Sequence, residues 1–279
     1  MGKTIILTSN NAFYNQGWNT FVYSFPNGQV SFVAGDKIAL SGLSTYYSWN
    51  NIVNNVNSNF AYTWIEGNTF TVNLPSGFYT VSDINAYLQS VMYNNSHYLV
   101  NANTGSYQYY VELAENSVQY AVQLNLYAVG NTLPSGYSIP STANWALPTQ
   151  PKTPQFTVPS TQSIASIIGF SNNTFPASAA NTTYSMVSNV TPQVTPTTSV
   201  VVTCSLVQNK LAIPQTLLTA FSPDVDYGSL INVQPRSECF IDIAPGQYSS
   251  VTVQLWTNAL QPLPAQDNNT VILLDVDNF

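Results

Sequence analysis

The sequence predicts an all-β protein, a sandwich of two antiparallel sheets. Three observations carry that prediction. Apolar and polar residues alternate in many short runs, the period of half-buried strands. Clusters of Gly, Pro, Asn, Asp and Ser punctuate those runs. Only two stretches have helical periodicity, and both are short. Many strands, long loops and two short helices describe a sandwich rather than a helical bundle.

Taken in order, residues 4–8, 20–25, 30–33 and 37–46 are strand candidates. Pro26-Asn27-Gly28 is a hairpin-grade turn between the second and third, and Gly35-Asp36 leads into the fourth. After an Asn-rich loop from Trp49, residues 60–65 and 69–74 form a hairpin around Glu66-Gly67-Asn68. Pro75-Ser76-Gly77 then turns the chain into a helix that Ser82 would cap, with Asp83 favoured in the first turn. Ile84, Leu88 and Val91, with Met92 beside them, give that helix one apolar stripe, suited to a lid on a sheet.

The strand pattern resumes at 107–113 and 119–129, joined at Glu115-Asn116-Ser117. From 130 to 159, prolines at 134, 140, 148, 151, 154 and 159 are too closely spaced for a sheet interior. Ser160 or Thr161 would cap a second helix carrying Ile164, Ile167 and Ile168, ended by Gly169. Residues 171–198 are again polar and proline-punctuated. The last third offers strands at 199–207, 217–221, 230–233, 239–243, 249–256 and 271–276. No clean boundary is legible, so the expectation is one domain over 1–279, with 130–198 as a long-loop region or small insertion within it.

Charge is the unusual quantity. Only 6% of the 279 residues are Asp, Glu, Lys or Arg, against about 25% in an average soluble domain. Solubility must come from neutral polar groups, and such a surface has little charge repulsion to oppose self-association. The net charge of −7, with five scattered cations (Lys3, Lys37, Lys152, Lys210, Arg236), argues against nucleic acid and anionic membranes. No apolar run approaches the roughly 18 residues of a spanning helix. The N-terminal MGKTIILT reads as a first strand rather than a signal, and Ile6 stands where myristoylation wants Ser or Thr. Cys204 and Cys239 sit in apolar runs and read as buried free thiols.

Catalytic chemistry lacks an inventory. His97 is the only histidine, in a polar NNSHY turn, and reads as a surface residue. No GxSxG, P-loop, HExxH or CxxC is present. Paired carboxylates would have to come from Asp36, Glu66, Asp83, Glu112, Glu115, Asp224, Asp226, Glu238, Asp242, Asp267, Asp275 and Asp277, most of which fall in turns. Asp224 and Asp226 lack the remaining ligands of a calcium loop. The expectation is therefore no enzyme, no catalytic or metal-binding residues and no cofactor. Sequons at Asn94, Asn172, Asn181, Asn189 and Asn268 are expected by chance in so Asn-rich a chain.

Five segments carry a resemblance: LPSGFYTVSDINAYLQSVM at 74–92, NSVQYAVQLNLYAVGNTLPSGYSIP at 116–140, TPQFTVPSTQSIASIIGFSNNTFP at 153–176, VVVTCSLVQNKLAIPQTLLTAFSP at 200–223 and IDIAPGQYSSVTVQLWTNALQPL at 241–263. In this order the chain resembles the single jelly-roll penton, or minor capsid, proteins of virophages, polinton-like viruses and nucleocytoplasmic large DNA viruses. Ile168-Gly169-Phe170 departs from the family's Leu-Gly-Phe. The resemblance implies a single jelly-roll sandwich with two short helices and long loops or a small insertion. It implies a homopentamer closing the five-fold vertices of an icosahedral DNA-virus capsid, in contact with major and other minor capsid proteins. The virion would be its location, after synthesis in the host cytoplasm or virus factory.

Two other classes compete. Eighteen Tyr, thirteen Phe and five Trp allow a carbohydrate-binding sandwich or fibre adhesin, whose rings would stack on sugar faces. A sandwich glycosidase or lyase would rest on Glu112 or Glu115.

Overall fold

In the computed structural model, which describes residues 3–9, 11–14 and 17–277, the alternating runs become strands with one buried face. Val251, Val253 and Leu255 are buried along Ser250–Thr257, and Ile272, Leu274 and Val276 along Val271–Asp277. Each such side chain contributes about 1.5–3 kcal/mol when it leaves water. A strand with one apolar face must cover it, and the two principal sheets supply each other's cover.

Eight principal strands build the first unit. In chain order they are Lys3–Thr8, Thr20–Ser24, Lys37–Tyr46, Val200–Cys204, Leu217–Phe221, Leu230–Val233, Ser250–Thr257 and Val271–Asp277. The first pairs with the eighth, the second with the seventh, the third with the sixth and the fourth with the fifth. Every pairing is antiparallel, so the chain is a ribbon of four nested hairpin pairs. One sheet runs first, eighth, third, sixth; the other runs second, seventh, fourth, fifth. A nested ribbon wound into two sheets in this alternation is a jelly roll, and the all-β sandwich expectation holds.

The third strand is central to its sheet and nearly all buried, with Ile38, Ala39, Leu40 and Leu43 in the core. A bulge interrupts its pairing with the eighth: Leu273 faces Gly42 and Leu274 faces Leu40, leaving Ser41 as the extra residue. Gly42 fits there because a Cβ would press Leu273 Cδ1 at 3.1 Å.

The chain between the third and fourth principal strands, Asn51–Pro196, forms a second compact unit. It contains a four-stranded sheet, in the order Thr174–Phe175, Gln155–Thr157, Asn59–Thr63, Thr69–Asn73, and two three-stranded sheets. The Val81–Asn94 helix lays Val81, Ile84, Leu88 and Met92 into a core that includes Phe60, Tyr62, Trp64, Leu113 and Phe156. Leu113 N donates to Asn85 Oδ1 at 2.9 Å, fixing the helix on the Val111–Asn116 strand. No element of the sequence pattern marks Asn50 or Pro196, because strands of similar composition lie on both sides. The proline-rich 130–198 stretch contributes Tyr137–Ser138, Gln155–Thr157, Thr174–Phe175 and Tyr184–Val187 to this unit.

Several local readings change. Thr80, not Ser82, caps the helix: its Oγ1 accepts from Asp83 N at 3.1 Å, while the Asp83 carboxylate accepts from Thr80 N at 2.9 Å. This capping box satisfies two orphan donors at once, which Ser82, two residues further on and already helical, could not do. The second helix is a single turn, Ala165–Ile168, with no side-chain cap from Ser160 or Thr161. Its end is as expected, since Gly169 has φ 72° and a Cβ there would collide with the Val190 carbonyl oxygen. The 107–113 run divides into Tyr107–Gln108 and Val111–Asn116, which lie in different sheets. Within 239–243, Ile241–Asp242 pairs as a strand and Ile243 bridges Val207, while Cys239 lies outside that pairing and is exposed; Cys204 is buried, and both thiols are free.

The cap geometry separates two neighbouring residues by stability. Thr80→Ala should lower the unfolding free energy by about 1 kcal/mol, whereas Ser82→Ala, at an exposed helical position, should change it by less than about 0.5 kcal/mol. Urea unfolding followed by tryptophan fluorescence measures both.

Candidate functional site

The carboxylates that could have formed an acid pair are committed locally or stand apart. Glu112 Oε2 accepts from Asn125 Nδ2 at 3.1 Å and from Tyr127 OH at 2.7 Å across its hairpin. Asp83 serves the helix cap, whose hydrogen bonds from Thr80 hold its carboxyl below the usual range. Asp36 is buried in its turn, where Oδ2 accepts from Val33 N at 2.9 Å and Oδ1 has no hydrogen-bond partner. Asp267 Oδ1 accepts from Asn269 N at 2.7 Å. Glu66, Glu115, Asp224 and Asp226 are exposed, and Asp242 lies opposite Lys37 in the strand register.

Glu238 is the exception, because the fold brings it beside Asp275 and Asp277. Desolvation and the hydrogen bond with Asp275 raise its carboxyl above the usual range, with repulsion from both aspartates adding to the effect. Among the described residues, no group of three His, Cys, Asp or Glu side chains could hold a metal ion. No helix there is long and apolar enough to cross a membrane.

His97 is not at the surface. It is 2% exposed, stacked on Trp64 with centroids 4.6 Å apart, with Phe70 edge-on at 4.7 Å. Its Nδ1 lies 2.8 Å from Tyr62 OH. Burial pushes the imidazole down to about 4, so it is neutral at physiological pH. The turn that carries His97 is held by Trp145 Nε1, which donates to Ser96 O at 2.6 Å. Here the NNSHY composition misled: three aromatic residues of the distant hairpin built from Asn59–Thr63 and Thr69–Asn73 converge on a ring whose immediate neighbours are polar.

What the surface gathers is apolar and neutral. In the first unit, Leu211 and Ile213 are 99% and 93% exposed, on the loop between the fourth and fifth principal strands. A groove of about 610 Å³ runs along the first strand, lined by Ile5, Ile6, Tyr23, Phe25, Val30 and Phe32 among others. In the second unit, Val118 and Tyr120 stand out at a hairpin tip, and the exposed rings of Tyr93 and Tyr107 lean over Tyr98. Surfaces of this chemistry suit protein contacts, which deplete charge at their centres and enrich aromatic side chains. Sequence reasoning overlooked Leu211 and Ile213, although KLAIP, an apolar segment lying between two strands, was a legible signal.

Burial of His97 gives the fold a pH dependence. The unfolded chain gains a proton as pH falls through 6.5, while the folded chain resists until about 4. Stability therefore falls between those values and levels off below them, by roughly 2 kcal/mol after allowing for solvent near the ring. Thermal melts from pH 7 to 5 should show the decline, and His97→Gln should flatten it.

No protein-family model matches the chain, and no curated protein matches it. Among solved structures it aligns with the mavirus penton protein at 8% identity and a TM-score of 0.42, over 99% of this chain and 96% of that one. It also aligns with a chain from the Sputnik virophage structure at 11% identity and a TM-score of 0.35, over 98% of this chain and 96% of that one. At such identities and TM-scores below 0.5, neither alignment adds to the topology, which stands on the strand pairing described above.

Proposed function

We propose that this chain is a structural, non-enzymatic subunit of an icosahedral viral capsid, a penton whose five copies close each five-fold vertex and meet the major capsid protein around it. The observation that carries the reading is the nested pairing of eight strands into a jelly roll, with a second unit inserted between the third and fourth. The five sequence segments that resemble penton proteins support it. So does a composition with 6% charged residues, which lets flanks meet without desolvating many ions. In this reading the jelly roll makes the lateral contacts, and the chain resides in the virion. It needs no cofactor and no nucleic acid.

A second reading is favoured by one observation. The rings of Tyr93 and Tyr107, 5.2 Å apart and inclined by 47°, offer faces on which a pyranose could stack, as a carbohydrate-binding module would use them. A glycan-array signal lost in Tyr107→Ala, from a protein that stays monomeric, would favour this over the penton.

Purified protein examined by negative-stain microscopy and mass photometry should show five-lobed rings with five times the mass of the 30.5 kDa chain. A monomer at every concentration, or a ring of another number, would overturn the penton assignment.

A further inference from the structure

Resting on the ring reading above, we infer that copies join head to tail through one specific contact: the 210–214 loop of one copy seats Leu211 and Ile213 in the groove along the first strand of the next. Both surfaces belong to the jelly-roll unit.

The loop is presented rather than floppy. Asn209 N donates to Gln215 O at 2.7 Å, Leu211 N to Asn209 Oδ1 at 3.1 Å and Leu217 N to Pro214 O at 3.0 Å. Two aliphatic side chains exposed to 99% and 93% on such a tied loop are costly in water, and preorganisation makes their capture efficient. The groove is their chemical complement: Phe25 and Phe32 form its buried floor, and Ile6 is a half-exposed wall.

Topology places the two surfaces on opposite flanks. The groove spans the first and second strands, which lie toward one side of their sheets. The loop enters the fifth strand, the edge on the other side. A knob and a hole on opposite flanks cannot satisfy each other within one two-fold pair. They make a heterologous contact, which closes into a ring when the rotation permits.

Charge points the same way. Lys210 stands beside Leu211, and the end of the groove at Lys3, Thr4 and Val276 adjoins the acidic group. Thr4 Oγ1 donates to Asp275 Oδ1 at 2.6 Å, and Asp275 contacts Glu238. Glu238, Asp275 and Asp277 outnumber Lys3 and Lys37, which stands opposite Asp277 in the strand register, so the net charge there is negative and an incoming cation is favoured.

The test uses full-length chains in mass photometry and analytical ultracentrifugation. Leu211→Asp/Ile213→Asp should abolish rings, as should Tyr23→Asp/Val30→Asp, with circular dichroism and melting like the unmodified chain. Association should weaken at least a hundred-fold in each. Mixed together, the two variants retain one good knob and one good groove, so a one-to-one heterodimer should form and grow no further. Lys210→Ala should weaken the rings and reduce their salt dependence. Rings of unchanged mass in both double variants, or a mixture that stays monomeric, would overturn the contact while leaving the penton reading intact. Rings of a number other than five that respond as described would do the reverse, and an unmodified chain that never associates would overturn both.

Discussion

The whole of the first unit depends on one pairing, that of the first strand with the last. Lys3 faces Val276 and Thr8 faces Val271 in unbroken register, and a side-chain hydrogen bond joins Thr4 to Asp275, 271 positions away. Closing this outermost pair fixes the ribbon within which the second and seventh, third and sixth, and fourth and fifth strands pair. The eighth strand then lies between the first and third, so its Ile272, Leu274 and Val276 enter the core. Contacts this distant must repay a large loop-closure entropy before they stabilise anything, so the fold is slow to form and strongly cooperative once formed. The same nesting explains why a second unit can be carried. An insertion between the third and fourth strands lengthens one connection of the ribbon without changing any of its pairings.

With so few ions, neutral amides and hydroxyls hold the irregular backbone. Asn51 accepts from Tyr79 N and donates to the carbonyls of Tyr79 and Val194. Asn95 donates to Val91 O, Gln155 to Pro176 O, and Thr153 accepts from Ala180 N. Asn11 and Asn209 clasp their own turns in the same way. Each such bond gives a loop carbonyl or amide the partner that a sheet would otherwise provide. Long proline-punctuated segments are thereby ordered with little use of charge.

Much of the fold was legible in the residues. The third, fifth and sixth principal strands begin and end where alternation meets turn chemistry, and Gly169 ends its helical turn as its left-handed backbone requires. The nesting was not legible, because nothing in a strand's own residues names its partner across two hundred others. Thr80 and Ser82 offer the same hydroxyl in sequence, and only the backbone angle at Thr80 decides between them. His97 was misplaced because its burial comes from Tyr62, Trp64 and Phe70, which are distant in the chain. Cys239 was misplaced because an apolar run does not reveal that pairing begins only at Ile241. The surface on which the proposed contact rests was half legible. Scarce charge left little repulsion to oppose self-association, but the exposure of Leu211 and Ile213 and the shape of the groove exist only in three dimensions.

Native-state hydrogen exchange, read by mass spectrometry on peptides covering both chain ends, tests the closure of the ribbon most directly. Amides of Val271–Asp277 should be as protected as those of Lys37–Tyr46, and should open together with them and with the paired amides of Lys3–Thr8 in one cooperative event. Rapid exchange at both ends while Lys37–Tyr46 stays protected would contradict the nested jelly roll.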